Sequence, residues 1–390
     1  MKKIITNLIK RIAFTVFFCY SMIQLPMLYH YEYHYGQLKY LSKDDYRTWK
    51  TAFLTLLKTH YKSNYGLAQY KMFAAFANTK IKVVRCRPFD NIENPIVVLC
   101  VKNDIRRLKM LVEHYRLLGV ERFAFLDNGS TDGTLEWMLE QQDIDLYTTE
   151  RLYSSFVKEA WINRIVSYYG MNRWYILTDS DEIVSYIGME KYSVQDVVKF
   201  AQSHQFFRIK AITLDMYANA DIFSDSIDES NIKEAYCWMD SDGYIEEKRR
   251  VGNAEISAIV GGPRMRVMNV RPSLMKYPLI YFEKGMISSN AHFQYPYTEI
   301  PDNTCFFAIL HYKFMDGDKE EYIRRASSNS GFSSGVTLKN GGYYRHYMNI
   351  VNSQQKISFM YKGSIKFSDS NSLKSIGLIK EIPFSGREQI

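Results

Sequence analysis

Two aspartates one residue apart, Asp179 and Asp181, stand directly after the apolar run Trp174–Thr178 (WYILT). In an extended or tightly turned segment, residues i and i+2 project to one side, so two carboxylates there can share a cation. Hard oxygen ligands favour Mg²⁺ or Mn²⁺, which take few protein carboxylates and fill their shells with substrate phosphates. A solvated turn is the ordinary account of a lone D-x-D, but a position at the tip of a buried strand favours the metal. A second cluster, DNGSTDGT over 127–134, ends another apolar run. Thr131 or Asp132 suits a helix cap. That leaves Asp127 at the strand tip, where a carboxylate can accept hydrogen bonds from a base or ribose. Neither this loop nor Asp240-x-Asp242-Gly243 has EF-hand spacing, since Trp238 and Arg249 take the first and twelfth places of the latter. Gly261–Arg266 (GGPRMR) has two readings: a close backbone approach with Arg264 and Arg266 clamping phosphate, or an exposed hairpin with basic flanks. His311 leaves the apolar run CFFAIL, and is either a structural histidine or the completion of a carboxylate-rich metal site.

The elements that must position these groups follow from periodicity. Ile96–Val101 (IVVLCV), Arg122–Leu126, Ile144–Tyr147 and Trp174–Thr178 read as short buried strands. Between them, Leu108, Leu111, Val112, Tyr115 and Leu118 recur at helical spacing. Leu135–Leu139 starts a further helix, and Phe156–Tyr169 is another, ended by Gly170. Strand alternating with helix on short links predicts a parallel sheet covered on both faces. Ligands of such sheets bind at the carboxyl ends of the strands. Asn103-Asp104, Asp127-Asn128 and Asp179–Asp181 all fall at such ends. His311 is expected there too, on a strand beside WYILT, within coordination or one-water reach of Asp181.

Composition bounds the rest. In 390 residues, 24% charged and 46% hydrophobic residues describe a folded globular chain, and nine Pro with 20 Gly exclude collagen-like or low-complexity material. A mean hydropathy of −0.28 excludes a polytopic membrane protein. The net charge of +8 suits nucleic acid, anionic lipid or a phosphorylated substrate equally. Five scattered cysteines (Cys19, Cys86, Cys100, Cys237, Cys305) without C-x-x-C point to a reducing compartment. Lys2, Lys3, Lys10 and Arg11 precede the apolar run 12–28, which is marginal for crossing a bilayer and lacks a small-x-small cleavage site. It reads as a helix lying on a membrane surface or as a packed N-terminal helix.

Taken together, the ordered motifs resemble the family-2-like, GT-A-fold glycosyltransferases of bacteria, over roughly Pro95 to Arg325. The branch in question has a Lys-Asn-Glu motif after its first strand, here Val101-Lys102-Asn103-Asp104, with Asp for Glu. HYRLLGVERFAFLDNGSTDGT, TDSDE, LDMY (Leu214–Tyr217), GGPRMR and ILHYKF (Ile309–Phe314) follow in the branch's order. The resemblance implies an α/β fold with a mostly parallel sheet flanked by helices, an N-terminal helical extension (1–36 and 37–93) and a C-terminal helical or irregular tail (316–390). The catalytic domain would span 94–315, divided into a nucleotide-binding half (94–182) and an acceptor half (183–315). It implies a nucleotide-sugar donor, Mn²⁺ or Mg²⁺, and inversion at the anomeric carbon. Carried onto matching positions, Asn103, Asp104, Asp127, Asp179, Arg264 and Arg266 would serve the donor. Asp179 and Asp181 would bind the diphosphate metal, and His311 the same metal or the diphosphate. No motif fixes the general base, for which Asp215, Glu255 and Asp302 are candidates in that order. The implied acceptor is a growing surface glycan, free or lipid-linked, of capsule or lipopolysaccharide type, and no nucleic acid is involved. The expected place is the cytoplasm, at the inner membrane face if the N-terminal segment anchors. A sugar-phosphate nucleotidyltransferase and a non-catalytic binding protein are the alternatives. The first would want a Gly-rich loop with a basic residue directly after the first strand, and Val101–Arg107 has no Gly; the second would have lost the metal aspartates, and both are present.

Overall fold

A computed structural model describes residues 79–384, apart from 225, 252–253, 284–285, 291, 296–303, 328–341 and 354–355. The N-terminal segment 1–36, residues 37–78 of the mostly helical region expected over 37–93, and the candidate base Asp302 lie outside the described residues; the described end of that region is not helical but holds a strand, Lys82–Arg85.

The first elements alternate as the periodicity predicts. They are β1 (Lys82–Arg85), β2 (Ile96–Val101), α1 (Ile105–Leu117), β3 (Arg122–Asp127), α2 (Thr134–Glu140), β4 (Ile144–Thr148), α3 (Ser155–Tyr169) and β5 (Arg173–Leu177). Next come β6 (Glu182–Ser185), α4 (Val194–Ser203), β7 (Arg208–Asp215), a single turn α5 (Ile232–Ala235) and β8 (Trp238–Asp240). The hairpin β9 (Ile245–Val251) and β10 (Ala254–Val260) leads into α6 (Gly262–Met268), β11 (Met275–Phe282) and the short pair β12 (Ile287–Asn290) and β13 (Phe293–Tyr295). The last are β14 (Cys305–His311), α7 (Lys319–Ser327), α8 (Gly342–Ser353) and β15 (Ser364–Lys366).

Nine strands form one sheet in the order β1-β4-β3-β2-β5-β11-β7-β14-β6. The four strands joined by α1 to α3 pair in parallel, β4-β3-β2-β5. β11 runs antiparallel to both of its neighbours, β7 and β14 are parallel, and β6 is antiparallel to β14. The basic segment before Pro95 supplies β1, an edge strand antiparallel to β4. Alternate residues of each strand feed opposite faces. Val97, Leu99, Phe123 and Phe125 pack with Leu108, Leu111 and Tyr115 of α1 on one side. Ile96, Val98, Ala124 and Leu126 pack with Trp161 and Ile165 of α3 on the other. The sheet is thus covered on both faces, the α/β architecture that the strand and helix alternation predicts. No helix of the described residues is long and apolar enough to cross a membrane.

Two expectations of local structure are corrected. β14 does not lie beside WYILT, because β11 and β7 intervene. His311 reaches the aspartates because the chain doubles back after β5. Glu182 N donates to Asp179 O (3.1 Å), and β6 then pairs with β14 so that Tyr312 N donates to Asp181 O (2.8 Å). GGPRMR is not an exposed hairpin but the start of α6, with Pro263 in the first turn. Gly261 sits at φ +135°, and a Cβ there would meet Gly243 O at 2.1 Å, so only glycine fits the entry.

Candidate active site

At the carboxyl ends of β2, β3, β5 and β7 a cavity of about 1110 Å³ opens, lined by Asp104, Asp181, Glu182, His311, Lys158 and Lys276 among others. Its heart is a row set by strand register. His311 at the end of β14 lies opposite Asp215 of β7 on one side and Glu182 of β6 on the other. One ligand atom each from Asp181, Glu182 and His311 lie within 4.8 Å of one another. His311 Nε2 is 3.2 Å from Asp181 Oδ2, inside the reach expected from the sequence. Two carboxylates and one imidazole suit Mn²⁺, and Mg²⁺ less well because of the nitrogen. The residues present therefore fit a divalent ion.

The electrostatics keep the two aspartates of the turn, Asp179 and Asp181, ionised. Burial pushes the Asp181 carboxyl up, but the His311 imidazole, with Lys313 and Arg107, more than reverses this and holds it well below the usual range. Asp179 is likewise lowered: burial raises it, and Lys158 and Lys276 outweigh burial.

Asp179 does not join the ligand cluster, which corrects its expected place. Lys158 Nζ contacts Asp179 Oδ1, and Lys276 Nζ lies 3.4 Å from Oδ2. Each oxygen thus faces an ammonium. Glu182, the last residue of TDSDE, takes the place in the cluster that the spacing alone assigns to Asp179.

The other sequence candidates divide. Asp104 lines the cavity, where Ser180 Oγ donates to its Oδ2 (2.5 Å) and Arg107 Nη1 to its Oδ1 (3.0 Å). Asn103, at φ +53°, accepts from Thr131 N (2.7 Å) through Oδ1, while its own N donates to Ser130 Oγ (2.9 Å). It ties the tip of β2 to the DNGSTDGT loop. Asp127 is 1% exposed, and its carboxylate accepts from Gly129 N (2.9 Å) and Ser130 N (3.1 Å). The carboxylate expected to face a base or ribose instead holds its own loop, because an Asx-type turn satisfies these N–H groups locally. Arg264 lines the cavity but its Nε donates to Asp215 Oδ2 (2.7 Å). Arg266 does not serve as a phosphate clamp. Its guanidinium bonds Asp240 (2.9 and 3.2 Å) and Phe359 O (2.7 Å) and stacks 3.9 Å over the Tyr361 ring, fastening the C-terminal segment. Asp215, the first candidate base, is 2% exposed and already accepts from Arg264 and His311, so it cannot face an acceptor hydroxyl. Glu255 lies on β10 in register with Arg250.

Several cavity residues carried no motif. Lys158 lies near the start of α3 beside Glu159, and nothing in its spacing marked it for the site. Lys276 reaches the site only because β11 inserts between β5 and β7. Arg325, Tyr344 and Tyr347, from the stretch read as a C-terminal extension, form part of the wall. Burial raises the Tyr344 phenol, but Lys313 and Arg325 outweigh it, so the net shift is downward. Arg325 Nη1 lies 2.6 Å from its hydroxyl.

No family of known proteins matches the chain, and no curated protein does. Among solved structures, HddC from Yersinia pseudotuberculosis aligns over 34% of this chain and 66% of its own, at 14% identity and a TM-score of 0.22. The mannosyltransferase PcManGT from Pyrobaculum calidifontis, in complex with GDP-Man and Mn²⁺, aligns over 43% of this chain and 47% of its own, at 14% identity and a TM-score of 0.23. The chain spans between about half and two thirds of those proteins. Scores this low decide nothing about the site, and its chemistry is read from its own geometry.

Proposed function

We propose that this chain is a metal-dependent glycosyltransferase that moves a sugar, with inversion, from a nucleotide-sugar donor to a hydroxyl of a growing glycan or lipid-linked glycan. The observation that carries this reading is the Asp181–Glu182–His311 cluster at the strand ends, inside a cavity large enough for a nucleotide sugar. Asp181, Glu182 and His311 would hold the divalent ion, which when bound supplies neutralising charge to a departing diphosphate.

The chain's own residues supply the rest. Lys158 and Lys276, buried beside Asp179 and Glu182, keep their ammonium charge because those carboxylates offset the cost of burial. In a low-dielectric cleft such fixed cations stabilise charge developing on a phosphate leaving group more than water does. Lys313 and Arg107 lie near enough to lower Asp181, and both line the same cavity. Asn103 and Asp127 shape the loop that closes the donor side. The apolar and basic residues before position 29 add attachment to an anionic membrane surface, which would place the enzyme at the inner face of the membrane.

Product analysis tests the reading. Incubation with a panel of nucleotide sugars and Mn²⁺ should release nucleoside diphosphate. Release of pyrophosphate from a sugar phosphate and a nucleoside triphosphate would mark a nucleotidyltransferase instead.

A further inference from the structure

We infer that Asp215 is a positioning residue for His311: its buried carboxylate, oriented by Arg264, accepts the Nδ1 hydrogen bond and turns Nε2 toward Asp181 and Glu182 as the nitrogen that would ligate a metal. The inference rests on the metal reading proposed above.

Three observations carry it. His311 Nδ1 lies 2.7 Å from Asp215 Oδ1, and Arg264 Nε lies 2.7 Å from Asp215 Oδ2, so the two oxygens are separately committed. The relation is built into the sheet. His311 and Asp215 are register partners on parallel strands, and Met216 N donates to His311 O (2.9 Å), so neither backbone can slide without losing the ladder. Both side chains are shut in, at 5% and 2% exposure, so water cannot replace either partner. An ionised carboxylate only accepts hydrogen bonds. Nδ1 therefore donates to Asp215 and Nε2 to the ionised Asp181 carboxylate, and Nε2, on the side of Asp181 and Glu182, is the nitrogen that would give up its proton when a cation binds. A ligating histidine that donates its other N–H to a carboxylate is held in both tautomer and ring orientation.

Arg264 makes the arrangement sensitive to one substitution. Its Nε demands an acceptor at Oδ2. In Asp215→Asn, the side-chain oxygen turns to Arg264 and the amide NH₂ turns to Nδ1, which must then accept. The proton moves to Nε2, and the ligand lone pair is lost without a change of shape. The same logic makes an asparagine a poor substitute wherever a carboxylate sets a histidine tautomer.

The test is a double-mutant cycle on Mn²⁺ affinity, read by calorimetry and by electron paramagnetic resonance of free Mn²⁺, with no activity assay needed. Asp215→Asn is expected to weaken Mn²⁺ binding by ~10–100-fold. His311→Ala should do the same, and the double variant should be no weaker than His311→Ala alone, because Asp215 acts through His311. Should Asp215→Asn not fold, Asp215→Glu replaces it in the cycle. That variant keeps Arg264's partner but drives the oxygens into the imidazole, and the same non-additive loss is expected. Affinity within twofold of wild type in the folded variant, or losses that add, would overturn the positioning role. Wild-type protein that binds no Mn²⁺ would instead overturn the metal reading on which this rests.

Discussion

Lys276 holds Glu182 by both carboxylate oxygens, at 2.6 and 2.8 Å. The pair joins β11 to β6 in the cavity wall, and both side chains are largely buried. Removing one member of such a pair leaves an uncompensated charge, which costs far more than the pair contributes. Lys276→Met should therefore destabilise the metal-free protein by about 3 kcal/mol, by the measured cost of breaking buried pairs. Mn²⁺ should restore more stability to this variant than to wild type, since a cation at Glu182 replaces the lost ammonium. Thermal melts with and without Mn²⁺ check both statements. A variant as stable as wild type would show that Glu182 has another partner.

Asp127 should behave as a loop anchor. Its Oδ2 accepts from the backbone N–H groups of Gly129, an exposed residue, and Ser130, a half-buried one. Asp127→Ala is expected to lose about 1 kcal/mol, the net worth of a hydrogen bond whose donor water can still reach. Any fall in nucleoside-diphosphate affinity would follow from the displaced loop. A melt unchanged from wild type, with affinity lost in calorimetry, would return Asp127 to direct contact with the nucleotide.

Stability should fall on the acid side through His114. Burial, aided by Lys233, lowers this imidazole to about 3, and its Nε2 lies 2.6 Å from Val184 O. The folded state therefore keeps it neutral while the unfolded chain protonates near the ordinary value. The stabilisation is complete above ~6.5 and is lost as pH falls toward the folded value, about 1.4 kcal/mol being gone one unit below the unfolded pKa. Chemical denaturation between ~pH 7 and ~5 measures this in wild type and in His114→Gln, whose acid-side slope should be shallower. Equal slopes would assign the acid lability elsewhere.

Attachment to membranes should depend on anionic lipid. Lys2, Lys3, Lys10 and Arg11 would each contribute ~1 kcal/mol near such a surface. Co-sedimentation of the full chain with anionic vesicles, absent with neutral ones and after deletion of residues 1–28, is the expected outcome. Full-length protein that ignores both vesicle types would favour a packed N-terminal helix.

Much of the frame was legible because β2, β3, β4 and β5 alternate with helices on short links, so local periodicity reports both the strands and their carboxyl ends. That Asn103, Asp104, Asp179 and Asp181 lie at those ends, on the cavity wall, was legible that way. Position relative to distant strands was not legible. β11 enters the sheet about a hundred residues after β5, and nothing local in MKYPLIYF shows that it brings Lys276 to Asp179. The same limit exchanged Asp179 for Glu182. Residue type and spacing identified a carboxylate pair, but the turn after Thr178 decides which carboxylate faces His311. Asp215 was misread as a base for the opposite reason: an acidic strand end was visible, while the arginine and histidine that occupy it came from elsewhere in the chain.

The most direct measurement is nucleoside-diphosphate release from a panel of nucleotide sugars, run with Mn²⁺, with excess EDTA, and with Asp181→Asn. At least one donor should be turned over by wild-type protein with Mn²⁺, turnover should vanish in EDTA, and the folded Asp181→Asn variant should lose ~10²-fold or more, the scale of losing a metal ligand or its support. Turnover that survives EDTA, or an Asp181→Asn variant as active as wild type, would contradict a metal centre at Asp181, Glu182 and His311.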